Sequence, residues 1–352
     1  MKIFVLFGSR SPEHEVSVLS ALNVINALDR SRYEVWAVYL TQEGAWRAPA
    51  RVERSLADGP ALLRCCAQPG SLGEALAQMA GPDSLAFPVI HGPYGEDGTL
   101  QGLLEMAGIP YAGCGVLASA AAMDKGVMKA VFAQAGIPQA ASVTYRRSDG
   151  DPCLAAAQVE QRLGYPCYVK PANMGSSIGI SRASNRAELR AALEEALRYD
   201  DKVILEEEIQ GQEVMLALLG NGMPRCSQPG LWVRDNGFFE FHDKYYNDAI
   251  VARIPIPLPA GVSERLQALA CQAFQALEGS GLMRADFFVT PEGVVCLNEV
   301  NTLPGFTEHS MYPQLCRASF GLDFPELLDE LIRLGWQRHE GRARIQTRRT
   351  CA

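Results

Sequence analysis

Two acidic residues and an asparagine lie on what the sequence predicts to be a β-hairpin near the C-terminal end of the chain. Residues 283–289 and 294–301 are apolar runs joined by a Thr-Pro-Glu-Gly turn. Side chains alternate faces along a strand, so Arg284 and Asp286 share a face of the first strand, while Glu299 and Asn301 share a face of the second. Carboxylates held together repel unless a cation lies between them, and Mg²⁺ takes a few protein oxygens plus phosphate oxygens. The hairpin therefore predicts a magnesium site, and a solvated polar face is the alternative.

A short loop of small residues follows the predicted strand that ends at Lys170. It reads Asn-Met-Gly-Ser-Ser over residues 173–177. Small residues let backbone N–H groups approach an anion and hydroxyls add donors, so Ser176 and Ser177 could cover a phosphate as a lid. The spacing is not that of a Walker A loop, and an ordinary glycine-serine turn is the alternative. Lys170, and Lys125 at the start of a predicted helix, are further candidate phosphate partners.

Acidic residues mark two other positions where a polar ligand could bind. Glu206 and Glu207 lie at the end of one predicted strand and Glu213 at the start of the next, where carboxylates can accept from an adenine amino group or from ribose hydroxyls. A charged edge strand is the alternative. Glu13 and Glu15 follow the first strand, where a carboxylate could hold a substrate ammonium. An acidic first helical turn, favoured by the helix dipole, explains one of these two glutamates equally well.

The elements that must position these residues divide the chain into three parts. In the first part, strands at 3–7, 33–40 and 84–90 alternate with helical patterns, which is typical of a parallel sheet. Ligands of such sheets bind beyond the carboxyl ends of strands, so the loops after Phe7 and Ile90 are expected walls of a site.

The second part is predicted to be a compact α+β unit. Its strands are expected at 141–146, 165–170, 178–182 and 202–209, and its helices at 124–135, 153–163 and 187–199. The third part is expected to contain strands at 213–220, 231–233, 238–241 and 250–256, a helix at 263–278, the hairpin and a helix at 324–334.

Composition excludes several classes of protein. A chain of 352 residues, 48% hydrophobic and 20% charged, is long enough for two or three domains and has ordinary soluble composition. The net charge of -8 argues against a nucleic-acid surface, and the basic stretch at 338–349 is interpreted as a solvated tail. Ten scattered cysteines without metal-ligand spacing indicate reduced thiols. No signal peptide or membrane-spanning run is found, so we expect a cytoplasmic protein.

Taken in order, these motifs resemble the D-alanine:D-alanine ligase family of the ATP-grasp superfamily. The matching runs are EHEVS at 13–17, HG at 91–92, GEDGTLQG at 95–102, MDK at 123–125, KP at 170–171, GSS at 175–177, RAD at 284–286, NEVNT at 298–302 and PGFTEHS at 304–310. They span nearly the whole chain, and their joint occurrence in this order is highly specific. The resemblance implies an α/β ATP-grasp protein, commonly a homodimer, with a Rossmann-like N-terminal domain (1–122), an α+β central lid domain (123–208) and an α+β C-terminal catalytic domain (209–352).

The resemblance also implies a role for each matching residue. The metal ligands would be Asp286, Glu299 and Asn301, holding two Mg²⁺ ions or Mn²⁺. The ATP-binding residues would be Lys125, Lys170, Ser176, Ser177, Glu206, Glu207, Ile209, Glu213 and Lys244. The amino-acid site would comprise Glu13 at the first ammonium, His91 near its carboxylate, and Ser310 with Met311 at the second substrate. The catalytic set would add Ser177, Arg284 and the Gly305 backbone at the oxyanion, with Lys244 and Tyr245 from an active-site loop.

The activity implied is ATP-dependent ligation of two D-alanines through an acyl phosphate, for peptidoglycan synthesis. The Lys244-Tyr245 pair resembles ligases whose second substrate is D-alanine or D-serine, whereas D-lactate-adding enzymes carry histidine there; His242 lies close by. Residues 298–306 resemble the vancomycin-resistance branch as much as the housekeeping one. D-Serine, and less so D-lactate, are therefore alternative second substrates. Two further classes stay open, namely an ATP-grasp enzyme acting on another carboxylate and a nucleotide-binding protein without catalysis.

Overall fold

The computed structural model describes residues 1–233 and 251–346, without the side chains of Cys153 and Leu154. The predicted strand at 238–241 and the predicted catalytic residues Lys244 and Tyr245 lie outside the described residues. Most of the predicted elements within the described residues are present, several with shifted bounds. None of the described helices combines the length and the apolar composition that crossing a lipid bilayer requires.

The first part is built on a four-stranded sheet of order β3-β2-β1-β4. Its strands are β1 (Lys2–Gly8), β2 (Glu34–Leu40), β3 (Ala50–Arg51) and β4 (Ser84–Pro88). Its helices are α1 (His14–Ala27), α2 (Gly59–Cys65), α3 (Leu72–Met79), α4 (Thr99–Met106) and α5 (Val116–Met123). β1 pairs in parallel with β2 and with β4, so the predicted parallel arrangement is confirmed. The loops that follow β1 and β4 consequently leave the sheet side by side.

The second part carries an antiparallel sheet of order β5-β8-β6-β7. Its strands are β5 (Ser142–Arg146), β6 (Cys167–Pro171), β7 (Ser181–Ala183) and β8 (Lys202–Glu207), and its helices are α6 (Lys125–Gln134), α7 (Pro152–Arg162) and α8 (Arg186–Ala196). The prediction of a strand at 178–182 was wrong at its start. Turn hydrogen bonds from Ile178 N to Gly175 O and from Ile180 N to Ser177 O hold the chain in a bend until β7 begins.

The third part places the predicted hairpin inside a sheet of order β10-β9-β13-β14. Its strands are β9 (Gln212–Asn221), β10 (Arg225–Cys226), β13 (Ser280–Val289) and β14 (Val295–Asn301), and a separate pair is β11 (Leu231–Val233) with β12 (Val251–Arg253). The helices are α9 (Val262–Ala276), α10 (Met311–Phe320) and α11 (Phe324–Ala343). The last helix runs well beyond the predicted end at residue 334.

The hydrophobic cores do not follow the order of the chain. One core combines Val5 and Leu22 of the first part with Tyr312 and Leu331 of the last part. A second core lies between α9 and the β9-β13-β14 sheet and includes Phe132 of α6. The α+β unit has a core drawn only from its own residues, between positions 143 and 205. Residues near the beginning and the end of the chain therefore share one core, and the α+β unit, apart from α6, has a core of its own.

Candidate active site

A cavity of about 480 Å³ lies where the loops after β1, β4 and β6 meet strands β8, β13 and β14. The sequence-predicted residues that line it are Glu13, His91, Lys125, Lys170, Ser176, Ser177, Glu206, Glu207, Ile209, Glu213, Arg284, Glu299, Asn301, Gly305, Ser310 and Met311. Of the predicted site residues within the described ranges, Asp286 does not reach the cavity surface, since it lies behind Arg284 and is 1% exposed. The fold thus brings together groups from all three parts of the chain.

The hairpin predicted from the sequence is present as the antiparallel pair β13 and β14. Asp286 lies directly opposite Glu299, and Arg284 lies opposite Asn301. Arg284 donates from Nε and Nη2 to the two oxygens of Asp286, at 2.7 and 2.6 Å. Like charges directly opposite on paired strands are destabilising, so a cation at this position stabilises the pair. Arg284 supplies one such cation on the Asp286 side.

The donor chemistry of this face suits a hard divalent cation. Two carboxylates and one amide contribute oxygen only, and one or two carboxylates with substrate phosphates are the usual Mg²⁺ ligands. The Asn301 Oδ1 is oriented by accepting the Leu303 N–H at 2.9 Å. Within residues 1–233 and 251–346 no three His, Cys, Asp or Glu side chains cluster as a complete metal site. The oxygen donors Asp286, Glu299 and Asn301 are of the kind that Mg²⁺ uses when substrate phosphates supply its other ligands.

Lys125 connects the hairpin to the loop at 173–177. It follows Asp124, whose carboxylate accepts from the N–H groups of Gly126 and Val127 and so begins α6. The Lys125 ammonium lies 3.4 Å from the Glu299 carboxylate and donates to the carbonyl of Met174 at 2.8 Å. A nearly buried cation is thus shared between a predicted metal ligand and the predicted phosphate lid.

A buried ion-pair network lies on the sheet of the α+β unit. Glu206 of β8 accepts from Lys170 at 2.6 Å and from Lys129 at 2.9 Å. Burial alone would raise the pKa of Glu206, but the charges of the two lysines outweigh it and the pKa is lowered. Burial alone would lower the pKa of Lys170, and Glu206 reverses that effect so that the pKa is raised. Lys170 also donates to the Asn298 side chain at 3.3 Å.

The loop after β1 and the lid loop touch at Glu13. The Ser176 hydroxyl donates to the Glu13 carboxylate, which is itself 6% exposed. Gly92 has a φ of 72°, which strains any L side chain, and a Cβ there would lie 2.7 Å from the Ser11 hydroxyl and 2.8 Å from a Glu13 oxygen, so a substitution would displace Glu13. Ser176 and Ser177 adopt positive φ angles of 53° and 60°, which L-residues rarely take. Strain of this kind persists where surrounding contacts enforce it, as the Glu13 contact does here.

His91 is held from both sides of its ring. Nδ1 lies 2.9 Å from the carbonyl of Leu303, and Nε2 lies 2.8 Å from the hydroxyl of Ser20. Burial alone would lower the pKa of His91, but the Glu96 carboxylate 3.7 Å from Nδ1, together with Glu13, outweighs it and the pKa is raised. Both ring nitrogens are therefore engaged by protein groups, although the ring lines the cavity.

The second predicted amino-acid position is formed at the start of α10. Ser310 precedes this helix, and its hydroxyl lies 3.0 Å from the Thr307 backbone N–H and 2.9 Å from the Thr307 hydroxyl. Met311 lies beside it on the cavity wall. The segment from Gly305 to Met311 thus approaches the cavity opposite Glu13 and the lid loop.

Comparisons with known proteins agree with this arrangement. The family model described as D-ala D-ala ligase N-terminus matches residues 2–114, and the one described as D-ala D-ala ligase C-terminus matches residues 131–333. This chain belongs to the D-alanine:D-alanine ligase family. The D-alanine--D-alanine ligases of Bacillus cytotoxicus and Enterococcus faecalis are each 44% identical to it, over 98% and 96% of this chain and 98% and 99% of theirs.

Solved structures of other family members have the same architecture as this ligase. The D-alanine-D-alanine ligase of Coxiella burnetii matches with a TM-score of 0.80 at 32% identity, over 97% of this chain and 96% of that one. The VanG D-Ala:D-Ser ligase of Enterococcus faecalis matches with a TM-score of 0.79 at 34% identity, over 95% and 99%. The predicted family and the α/β ATP-grasp fold are therefore confirmed.

Several residues of the ligase cavity were not predicted from the sequence. Tyr168 lines the cavity and shares a face of β6 with Lys170, so the two-residue period could have indicated it. Lys129 is not itself a lining residue, but it pairs with the lining residue Glu206; it lies one helical turn after Lys125, and that spacing could have indicated it. Met215 and Trp232 also line the cavity. No local pattern marks these two, because strand pairing and packing bring them there.

Proposed function

We propose that this ligase joins two D-alanines with hydrolysis of ATP to ADP and phosphate, giving D-alanyl-D-alanine for peptidoglycan. One observation carries the proposal. A single cavity holds the acidic hairpin, the lysines paired with Glu206 and Glu299, and the Glu13 and Ser310 loops. A carboxylate-amine ligase needs these three things together, namely sites for the phosphates, for the acid and for the amine.

The nucleotide end of the site is proposed to be formed by the sheet of the α+β unit. Lys125 and Lys170 would contact phosphate, and Ser176 and Ser177 would close over it. The adenine and ribose wall would consist of Glu206, Glu207, Ile209 and Glu213. The ion pair of Lys170 with Glu206 supports this proposal. A lysine is costly to bury without a partner, so Glu206 keeps Lys170 charged at the cavity wall, where its ammonium can bind phosphate as a point charge.

The amino-acid end is proposed to work in two steps. Glu13 would hold the ammonium of the first D-alanine, whose carboxylate oxygen attacks the γ-phosphorus of ATP as the bond to ADP breaks. The free amine of the second D-alanine, placed by Ser310, would then attack the acyl carbon; as the C–O bond to phosphate breaks, the nitrogen releases one proton and inorganic phosphate leaves. Arg284 and the Gly305 N–H would stabilise the oxyanion between these bond changes; losing such a donor typically costs on the order of a hundredfold in rate.

Magnesium is proposed as the metal of the hairpin. Asp286, Glu299 and Asn301 would hold two Mg²⁺ ions, with Mn²⁺ as a substitute. When bound, such ions offset the negative charge of the phosphates and polarise their oxygens. Arg284 contacts Asp286 from the cavity side, which would couple the metal ligands to the oxyanion site through a single carboxylate.

Product identification tests the proposed function. The purified protein would be given ATP, Mg²⁺ and an equimolar mixture of D-alanine, D-serine and D-lactate, and the products read by mass spectrometry together with ADP. We expect D-alanyl-D-alanine as the main product. Absence of every D-alanine product, with ADP release restored by another carboxylic acid, would favour a different ATP-grasp ligase instead.

D-Serine is the second candidate for the incoming amino acid. The structural match to the VanG D-Ala:D-Ser ligase supports keeping it. Repeating the competition at two pH values separates amine from hydroxyl nucleophiles, because an ammonium must lose its proton before it attacks. An amine-derived product should increase as the pH rises relative to D-alanyl-D-lactate.

We also propose a cytoplasmic homodimer with domains at 1–122, 123–208 and 209–352. The eight cysteines whose side chains the structure describes are all free thiols, which suits a reducing compartment. The homodimer and the domain limits are carried over from the family resemblance. Sedimentation equilibrium of the purified protein, with and without ATP, tests the homodimer.

A further inference from the structure

The backbone segment that carries Gly305 is gripped on both sides by the N-terminal part of the chain. On one side, the carbonyl of Leu303 accepts from His91 Nδ1 at 2.9 Å. On the other side, the N–H of Phe306 donates to the Ser20 hydroxyl at 3.4 Å. Of the two residues between these contacts, Pro304 has a φ fixed by its ring but no N–H to donate, and Gly305 has no side chain to hold its backbone.

The two gripping side chains are themselves joined. The Ser20 hydroxyl lies 2.8 Å from His91 Nε2, and Ser20 and His91 are 0% and 2% exposed. A carbonyl only accepts, so Nδ1 carries a hydrogen in either charge state of the ring. Nε2 accepts from Ser20 when the ring is neutral and donates to it when the ring is charged, and the contact is retained in both cases. The chain Phe306, Ser20, His91, Leu303 is thus a closed clamp around Pro304 and Gly305.

Packing fixes the ring of Phe306 but does not set the direction of the N–H of Gly305. The Phe306 ring lies among Phe87, Tyr312 and Phe324, with centroid distances of 5.9, 6.1 and 5.5 Å. This packing holds the ring within the shared core. The rotation of the peptide units before it depends on directional contacts, which here are the hydrogen bonds to Ser20 and His91.

We propose that Ser20, acting through this clamp with His91, is a positioning residue that sets the direction of the Gly305 N–H for the peptide-forming step. The inference rests on the proposed function, in which that N–H stabilises the oxyanion of the second step. Small misplacements of such a donor are costly, because its benefit depends on preorganised geometry. The first step, formation of the acyl phosphate, does not use Gly305. His91, which is expected near the first carboxylate, keeps its contact with Leu303 when Ser20 is removed. Loss of the Ser20 contacts therefore slows the second step selectively.

A second buried serine on the same helix provides the matched control. Ser17 is 0% exposed, accepts from the Gly8 N–H at 2.8 Å and donates to the Val89 carbonyl at 2.7 Å. Its partners lie at the ends of β1 and β4, away from the Gly305 segment. Ser20→Ala and Ser17→Ala each remove one buried hydroxyl with two contacts, so their thermal midpoints should fall by similar amounts.

The experiment measures the two steps separately in wild type and in both variants. Positional isotope exchange in ATP labelled with oxygen-18 at the β,γ bridge reports acyl-phosphate formation, and mass spectrometry reports dipeptide. We expect Ser20→Ala to lower the rate of dipeptide formation about tenfold or more, with isotope exchange and the KM for ATP within about twofold of wild type. Ser17→Ala should keep the ratio of the two rates, and Ser20→Cys, which retains a weak donor, should lie between Ser20→Ala and wild type.

The proposal would be overturned if Ser20→Ala slowed both steps equally. It would also be overturned if the ratio of dipeptide formation to isotope exchange were the same in Ser20→Ala and Ser17→Ala. If Ser20→Ala does not fold, the same ratio in Ser20→Cys decides, and a wild-type ratio there counts against the proposal. Wild-type protein without isotope exchange and without dipeptide would instead overturn the proposed function. The two failures are therefore distinguishable.

Discussion

The two ends of the cavity are held in place by different means. At the nucleotide end, Lys170 and Glu206 lie on paired strands of one sheet, and strand register sets the 2.6 Å contact between them. At the amino-acid end, His91 and Leu303 meet across 212 positions of sequence, through loops joined by side-chain hydrogen bonds. We infer that substitutions at the nucleotide end mainly lower the free energy of unfolding, because they leave a buried charge without its partner. Substitutions at the amino-acid end should mainly disturb the alignment of catalytic groups and lower the stability of the fold less.

Both ends of the cavity depend on the predicted metal ligand Glu299, and its removal has the largest expected effect on activity. Glu299→Ala should lower the rate of ADP release about a thousandfold, because several kcal/mol of charge stabilisation at the phosphates would be lost. Circular dichroism should stay native, since Glu299 lies on the cavity surface. ADP release would be followed with a coupled assay. A near-normal turnover would count heavily against the metal assignment.

Glu206 tests the claim that the nucleotide end is costly to uncharge. Glu206→Ala leaves two lysines buried without their carboxylate, and breaking such a pair typically costs about 3 kcal/mol or more in the free energy of unfolding. Urea denaturation measures it. The neighbouring Glu207→Ala is the control: among the described residues the Glu207 side chain accepts one hydrogen bond, from the Ala141 N–H, so this substitution should cost about 1 kcal/mol. Equal losses in the two variants would remove the distinction between the ends.

A substitution at each end of the cavity should raise the KM for a different substrate. Lys170→Ala should raise the KM for ATP about tenfold and leave that for D-alanine nearly unchanged, since one charged contact is worth about 1.5 kcal/mol or more. Glu13→Gln should raise the KM for D-alanine by a similar factor and affect ATP less. Initial rates measured while the concentrations of ATP and D-alanine are varied in turn give both KM values for each variant. An unchanged KM for ATP in Lys170→Ala would contradict its placement.

The smallest expected effect is a pH dependence of stability at the amino-acid end. The pKa of His91 is raised in the folded protein, where Glu96 and Glu13 outweigh the effect of burial. Its contribution is therefore complete below the ordinary pKa of about 6.5 and is lost as the pH rises through the folded value. Comparing urea denaturation of wild type and His91→Gln from pH 6 to 9 should show a steeper decline in wild type. Parallel pH profiles would exclude this contribution.

Local periodicity predicted the nucleotide end better than the amino-acid end. The two-residue period puts Arg284 with Asp286 on one face and Glu299 with Asn301 on another, and the pairing of the strands, which the period does not give, places Asp286 opposite Glu299. The contacts of His91 with Ser20 and Leu303 could not be predicted, because no local pattern records how loops meet across the fold. The helix α3 was also missed, although Ser71 and Glu74 form a capping box at its start.

The separate core of the α+β unit has a consequence for recombination between relatives. Because the hydrophobic core of residues 143–205 is drawn only from that stretch, replacing it with the corresponding stretch of another family member leaves the other cores intact. The contacts to match are the polar ones that cross its boundary, such as Ser176 with Glu13 and Lys202 with Asp124. Exchanging the first 114 residues alone would instead set Val5 and Leu22 of one parent against Tyr312 and Leu331 of the other. Hybrid chains should therefore fold when they inherit both ends from the same parent, and residues 143–205 are the segment that recombination between relatives can replace.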